Sequence, residues 1–205
     1  MHTIVGIILT ITLSVLLPAT PAQARDERPN IVFMLVDNFG YGDLGVYGGG
    51  ELRGAPTPRL DALAAEGLRL TNFNVEPECT PTRSALMTGR MPVRSGTSAV
   101  SLLGGPEGMA GWEYTLAELL TDAGYTAASY GKWHLGTIEG RLPTDQGFDG
   151  WWGITRSNNA PLRVLQPGYD PVLAPQDSVW EGRKGAESLR TNVYDLAMRR
   201  RIDRE

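Results

Sequence analysis

The chain has 205 residues, a formal net charge of −4 and 41% hydrophobic residues. These values suit a single globular domain, because about 150 residues per domain is usual. They exclude the basic surplus that a nucleic-acid-binding protein would show, so no nucleic-acid partner is predicted.

The N-terminus has the pattern of an export signal. Residues 4–17 form an almost unbroken apolar run, and the small-residue sequence Ala22-Gln23-Ala24 follows. This predicts a signal peptide over residues 1–24. The run is short for a membrane helix, which needs about 20 apolar residues, so a permanent anchor is the less favoured alternative. We therefore expect a mature chain, residues 25–205, that is periplasmic or secreted and has no stable membrane anchor.

The first half of the mature chain predicts two strands and a helix between them. Residues 31–36 are six apolar residues rich in branched types, the pattern of a strand buried on both faces. The glycine-rich residues 40–54 predict a loop. Thr57 and Pro58 then suit the start of a helix that ends near Gly67. Residues 68–75 alternate between apolar and polar types, which predicts a second strand.

The second half predicts two more helices and a third strand. A helix over residues 81–88 is stopped by Gly89, and Thr115 with Glu118 forms a capping box for a helix over residues 116–123. Residues 126–130 predict a strand. This order predicts an α/β fold with a mostly parallel sheet flanked by helices. From about residue 141 the chain is predicted to be loop-rich, with the start of a helix from residue 187.

Polar side chains fall at the carboxyl ends of the predicted strands, where parallel α/β sheets bind their ligands. Asp37 and Asn38 offer the oxygen ligands that Ca²⁺ or Mg²⁺ prefers, although both types also begin turns. Lys132 and His134 are two residues apart, so in an extended segment they share one face while Trp133 packs away. A solvated surface loop is the alternative interpretation of that pair.

Cys79 is the only cysteine of the sequence. Exported proteins that use cysteine for stability use it in pairs, so Cys79 is buried filler, an intermolecular link or a chemically used residue. A helix N-terminus favours an anion beside it, and Arg83, one turn later, is expected to point toward the same place. His134 is the only histidine beyond the signal segment, so a zinc site of His and Cys lacks ligands.

Several motifs together resemble the type I sulfatases. Cys79-x-Pro81-x-Arg83 lies within CTPTRSALMTGR, which is similar to the signature of that family. Further similar segments follow the family's order: RPN leading to LVDN and GYGDLG in residues 28–45, TPRLDALA in residues 57–64, GKWHLG in residues 131–136 and GFD in residues 147–149. The resemblance covers about residues 29–153 and implies an alkaline-phosphatase-like fold.

The resemblance implies hydrolysis of an aryl or carbohydrate sulfate ester. Cys79 would be oxidised to Cα-formylglycine by a maturation enzyme during export, and the hydrated aldehyde would attack sulfur beside a bound Ca²⁺ or Mg²⁺. Arg83 would orient the diol, and Lys132 and His134 would bind the diol and sulfate oxygens. The metal ligands carried over are Asp37, Asn38 and the modified Cys79.

Two departures from the family pattern stand out. Asn38 occupies a position where the family usually has a second aspartate, which removes one charge from the metal site. Family members are also usually much longer, and their later Asp-Asn metal ligands, second active-site histidine and further lysine have no counterpart here. The resemblance therefore predicts that residues 25–205 are the N-terminal part of a sulfatase catalytic domain, truncated and with an incomplete site.

Other functions remain open at this point. A phosphonate or phosphate ester hydrolase of the same superfamily can share the fold and the CxPxR motif. A non-catalytic exported module could use the same anion pocket. A thiol hydrolase that pairs Cys79 with His134 is weaker, because no orienting Asn or Asp is evident.

The sequence does not identify the substrate. Two aromatic and two polar residues could line a carbohydrate or aryl pocket, or they could pack a loop. These residues are Trp151, Trp152, Asn158 and Asn159. We favour packing, because clustered tryptophans usually contribute buried area.

Overall fold

The computed structural model describes residues 28–100, 108–173 and 175–202. The predicted signal peptide, residues 1–24, lies outside the described residues. By its contacts the chain divides into two units, residues 1–39 and 40–205. None of the helices in the described residues has the length and apolar character that a membrane crossing requires.

The described part of the first unit is irregular. The predicted strand over residues 31–36 is wrong for this structure, because residues 28–36 have no regular secondary structure. Five of the six apolar side chains are exposed, including Val32 at 87% and Met34 at 70%. A strand buried on both faces needs hydrogen-bonded neighbours, and among the described residues no strand pairs with this segment.

The second unit begins with the predicted loop and helix. The loop contains three short 3₁₀ turns, Tyr41–Asp43, Gly45–Tyr47 and Gly50–Arg53. Helix α1 follows over Pro58–Glu66, with its proline in the first turn as expected. The predicted strand over residues 68–75 does not form, because a turn interrupts it at residues 71–72.

Three further helices lie in the middle of the chain. Helix α2, Cys79–Thr88, begins two residues earlier than predicted. Its third residue is Pro81, which is tolerated because the first N–H groups of a helix have no partner within the helix. Short helix α3 is Pro92–Ser95. Helix α4, Leu116–Asp122, has the predicted capping box, in which Thr115 and Glu118 exchange two hydrogen bonds of 2.7 and 3.1 Å.

The described residues form a four-stranded sheet in the order β1-β2-β3-β4. Strands β1 and β2 pair in parallel, whereas β2 pairs antiparallel with β3 and β3 with β4. The sheet is therefore mixed, and the parallel pairing expected from the alternation of elements occurs between β1 and β2. The strands are Ala128–Lys132, Gly150–Ile154, Ser178–Arg183 and Leu189–Val193.

The region after residue 141 is more regular than predicted. It contains three of the four strands, and residues 189–193 are a strand where the start of a helix was expected. Helix α5 begins only at Leu196 and runs over Leu196–Ile202. Strand β2 has the sequence GWWGI, whose two glycines lower its strand propensity, so the sequence pattern missed it.

Two glycines allow β1 and β2 to approach closely near the end of β1. Gly153 pairs with Gly131, and a Cβ atom at position 153 would lie 1.9 Å from the carbonyl oxygen of Gly131. Gly131 has a φ of +95°, which residues with a side chain rarely adopt. The pair therefore fixes the backbone immediately before Lys132.

A buried apolar cluster joins α2, α4 and the segment after β1, and its members are Met87, Met109, Ala117, Trp133 and Leu135. Trp133 also packs edge-on against Phe148, with ring centroids 6.0 Å apart. Its Nε1 donates a hydrogen bond to the carbonyl of Arg141 at 2.8 Å. Trp133 thus anchors the segment that carries Lys132 and His134.

The two tryptophans of β2 pack against other side chains, which is the interpretation favoured from the sequence. Trp151 is 3% exposed, donates a hydrogen bond from Nε1 to Ser188 Oγ at 3.1 Å and stacks near Trp180. Trp152 packs against a second buried cluster formed by Ile154, Val179 and Tyr194. Both rings therefore contribute to the stability of the sheet.

A buried cluster of hydroxyl groups ties α2 to the turn after α3. Ser84 on α2 is 0% exposed, and Ser95 and Thr97 are 8% and 2% exposed. Thr97 Oγ1 donates to Ser84 Oγ at 2.7 Å and lies 2.8 Å from Ser95 Oγ. Buried hydroxyls must keep their partners, so the three side chains are mutually dependent.

Thr97→Val should reveal that dependence. The variant keeps the shape of the side chain but removes the hydrogen bonds of 2.7 and 2.8 Å to Ser84 and Ser95, which keep only longer contacts of 3.3 Å, so the free energy of unfolding should fall by about 1–3 kcal/mol. Urea denaturation measures it. Thr97→Ser keeps the hydroxyl and should lose much less stability; equal losses in the two variants would contradict the explanation.

Asp177, just before β3, has a partly buried carboxylate, and this burial disfavours its charged form. Burial raises the pKa of Asp177 above its ordinary value of 3.8, although Arg156, Arg163 and Arg190 act in the opposite direction. Arg156 Nε lies 3.9 Å from Asp177 Oδ1, too far for a strong hydrogen bond. Ionisation of Asp177 therefore makes the folded state less stable than it is with the protonated carboxyl.

The pH dependence of stability should reflect this carboxylate. Between pH 3.8 and the raised pKa, the folded state binds more protons than the unfolded state, so stability falls as pH rises through this window. Asp177→Asn should therefore be more stable than the unsubstituted protein at neutral pH, and the difference should vanish at acidic pH. Thermal unfolding at several pH values measures this. Glu187→Gln, at an exposed position, is the control and should show no such convergence.

Candidate active site

Cys79 is the first residue of α2 and is half-buried. Glu78 immediately before it has φ 67° and ψ 171°, a region that is populated almost entirely by glycine. The strained peptide turns the chain sharply into the helix. Cys79 therefore stands at a helix N-terminus, where free N–H groups and the helix dipole favour negative charge.

Lys132, the last residue of β1, reaches Cys79 from the sheet. Its Nζ atom lies 2.9 Å from Cys79 Sγ, although 53 positions separate the two residues. In a chain whose cysteine has been converted to formylglycine, Sγ marks the place of the side-chain oxygen. The ammonium group is therefore in position to stabilise negative charge on an atom at that place.

Arg83 lies one turn further along α2 and binds the backbone at the end of β1. Its Nη1 donates to the carbonyl oxygen of Lys132 at 2.6 Å, a short, charge-assisted hydrogen bond. The guanidinium thus connects the helix that carries Cys79 to the strand that carries Lys132. Its expected role in orienting a diol remains a prediction.

His134 follows β1 in an unusual backbone conformation. Its φ is +57°, in the left-handed region that residues other than glycine seldom occupy. Its N–H donates to the carbonyl of Thr155 at 3.1 Å, and its own carbonyl accepts from Thr80 Oγ1 at 2.9 Å. The position of His134 is therefore set by both β2 and α2.

These groups make the surroundings of Cys79 cationic. The side chains of Lys132 and Arg83 and the N-terminus of α2 all favour an anion near the sulfur. A tetrahedral oxyanion such as a sulfate or phosphate ester matches this charge. The arrangement can bind such a group and stabilise charge that develops on it during a reaction.

The structure describes the predicted metal ligands but does not test whether they bind a metal ion. Asp37 and Asn38 form a turn in the first unit, where Asn38 has a φ of +58°. Among the described residues, no group of three or more His, Cys, Asp or Glu side chains is placed to hold a metal ion. Carboxylate and amide oxygens suit Ca²⁺, but two residues fall short of its six to eight ligands. The metal role of Asp37, Asn38 and Cys79 therefore stays a prediction.

The end of the CTPTRSALMTGR motif has a structural partner. Arg90 Nη1 lies 2.7 Å from both carboxylate oxygens of Glu113, whose side chain is 2% exposed. A buried carboxylate needs such a partner, so Arg90 allows Glu113 to be buried in the segment before α4. This arginine thus contributes to the fold that supports Cys79.

The sequence did not identify Thr80 as a residue of this site. It occupies the first of the two variable positions of the CxPxR motif, and its bond to the carbonyl of His134 spans 54 positions. No local pattern signals such a contact. Asn158 and Asn159, for which packing was favoured over a pocket role, are exposed, and Tyr194 Oη donates to the carbonyl of Asn158 at 3.3 Å.

Comparison with known proteins shows one family. The family model described as Sulfatase matches residues 29–204. The chain is 45% identical over 150 residues to human arylsulfatase A, covering 71% of this chain and 29% of the relative. It is 42% identical over 160 residues to human steryl-sulfatase, covering 72% and 26%. With human N-acetylgalactosamine-6-sulfatase it is 40% identical over 172 residues, covering 78% and 30%.

Solved structures agree on the fold. The PsFucS1 sulfatase from Pseudoalteromonas sp. is 40% identical, with a TM-score of 0.67 over 77% of this chain and 34% of that one. The Ps i-CgsB structure, 24% identical, has a TM-score of 0.61 and supports the fold alone. The predicted fold class, an α/β fold of the alkaline-phosphatase-like sulfatases, is thereby confirmed. The chain spans about a quarter to a third of the length of these curated relatives.

Proposed function

Because the chain belongs to the type I sulfatase family, we propose that the protein hydrolyses a sulfate ester with a formylglycine made from Cys79. The observation that carries the proposal is the 2.9 Å contact between Lys132 Nζ and Cys79 Sγ at the N-terminus of α2. It joins the CxPxR and GKWHLG motifs in one site. The names of the relatives cover steryl, aryl and sugar sulfates, so we propose an aryl or carbohydrate sulfate ester as the substrate class.

The side chains around Cys79 have distinct roles in this proposal. The formylglycine supplies the nucleophilic oxygen when it is present. Lys132, which holds a proton on Nζ beside that oxygen, and His134 bind the diol and sulfate oxygens. Arg83 orients the diol and adds positive charge to the site. Charge that develops in the transition state meets donors already in place, which is the arrangement that lowers a barrier most.

The proposal also includes a metal ion and export. Asp37 and Asn38 would hold part of a Ca²⁺ or Mg²⁺ site, and the ion would act as a Lewis acid that neutralises oxyanion charge. We further propose that residues 1–24 direct export to the periplasm or outside the cell. A formylglycine-generating enzyme would be the maturation partner.

Other functions explain the observations less well. A phosphate or phosphonate ester hydrolase would use the same cationic site, but the relatives carry the names of sulfatases. A thiol hydrolase would need His134 to act on the sulfur, whereas Cys79 Sγ accepts its hydrogen bond from Lys132. A non-catalytic binding module would not need a cysteine as the first residue of α2.

The first test combines maturation and activity. The natural protein, taken from its complete coding sequence and produced with a formylglycine-generating enzyme, should contain an aldehyde at position 79 by peptide mass spectrometry. It should release sulfate from an aryl sulfate faster than phosphate from the matching aryl phosphate. Cys79→Ala should abolish both the aldehyde and the release. An unmodified thiol, or phosphate release that exceeds sulfate release, would refute the proposal.

The second test uses the two lysines of the sequence as a matched pair. Lys132→Ala should lower kcat about 10²–10³-fold, the usual effect of removing one preorganised donor. Lys184 is exposed just after β3, so Lys184→Ala should keep kcat within about twofold. Steady-state kinetics on the aryl sulfate, corrected for the aldehyde content of each preparation, decide the comparison. An equal loss of kcat in the two variants would contradict the proposed role of Lys132 in the reaction.

A further inference from the structure

We infer that Thr80 is a positioning residue that sets the orientation of His134 relative to the nucleophile. The inference rests on the proposed function, since it assigns His134 to the reacting group. Thr80 occupies the first of the two variable positions of the CxPxR motif.

The geometry places Thr80 between the two functional residues. It directly follows Cys79 in the first turn of α2 and is 4% exposed. Its Oγ1 donates to the carbonyl oxygen of His134 at 2.9 Å. A single side chain therefore links the residue after the nucleophile to the histidine at the other side of the site.

The bond matters because His134 has an uncommon backbone conformation. With a φ of +57°, its peptide planes and its Cα–Cβ bond are oriented differently from those of an extended strand. Such conformations persist only where the surroundings over-determine them. Here the N–H of His134 is held by Thr155 on the β2 side and its carbonyl by Thr80 on the α2 side.

The neighbouring residues are already fixed by other groups. Trp133 is buried in the apolar cluster, and Arg83 holds the carbonyl of Lys132. Loss of the Thr80 hydroxyl should therefore leave β1 and Lys132 in place and release only the carbonyl of His134, whose N–H stays bound to Thr155. The expected defect is a misaimed imidazole and not a general loss of the site.

A contact that only stabilises the fold is the competing explanation, and Thr97 provides the matched control. Thr97 is equally buried, at 2% exposed, and its hydroxyl also donates a hydrogen bond, to Ser84 of the same helix. Its described side-chain hydrogen bonds go to Ser84 and Ser95, whereas the Thr80 hydroxyl binds His134. Thr80→Val and Thr97→Val thus each remove one buried hydroxyl that bonds α2 to a neighbouring segment, and only Thr80→Val removes a bond to His134.

The experiment compares Thr80→Val, Thr80→Ser and Thr97→Val in the natural protein of complete coding sequence, matured as above. Thr80→Val should lower kcat at least tenfold on an aryl sulfate, with KM within about threefold. Its His134 ring signals, assigned by NMR against a His134→Gln sample, should shift. Thr80→Ser should restore both kcat and the ring signals, and Thr97→Val should lose stability while keeping both.

The outcomes separate the inference from the proposed function. Unchanged ring signals in Thr80→Val would overturn the inference, as would an equal loss of kcat in Thr97→Val. If the unsubstituted protein released no sulfate, the proposed function would fail, and the ring signals would still decide whether Thr80 orients His134. If Thr80→Val did not fold, Thr80→Ala replaces it, and a Thr80→Ser protein without the native ring signals would overturn the inference.

Discussion

The site depends on the register between α2 and the end of β1. Lys132 reaches Cys79 because two hydrogen bonds hold these elements together, one from Thr80 to the carbonyl of His134 and one from Arg83 to the carbonyl of Lys132. Both bonds go from side chains of the helix to main-chain oxygens. A main-chain acceptor is present whatever residue occupies the position, so these two hydrogen bonds do not depend on the side chains of Lys132 and His134.

Stability and alignment come from different interactions in this region. Burial of a large apolar side chain such as Met87, Trp133 or Leu135 is worth about 1.5–3 kcal/mol, whereas one hydrogen bond contributes about 1 kcal/mol net. The apolar cluster therefore supplies most of the free energy that joins α2 to the segment after β1. The hydrogen bonds contribute direction, since apolar contact alone has no preferred angle.

Local signals in the sequence predicted helices α1, α2 and α4, but not α3 or the start of α5. Pro58, Gly89 and the Thr115 capping box all act within one turn of the chain, and each marks a helix boundary in the structure. The strands over residues 31–36 and 68–75 were wrong because a strand also needs a partner, which an apolar or alternating pattern cannot supply. The same limit applies to the site: CxPxR pointed to Cys79, but the contact of Thr80 with His134 depends on tertiary packing.

The glycine pair between β1 and β2 makes one position unusually intolerant of change. Any side chain at position 153 would collide with the carbonyl of Gly131 and push β2 away from the strand that ends in Lys132. A mutational scan that scored only catalytic output would rank Gly153 beside the residues that touch substrate. A parallel scan of protein abundance would separate them, because a lost strand pairing lowers the amount of folded enzyme, while a lost donor leaves it unchanged.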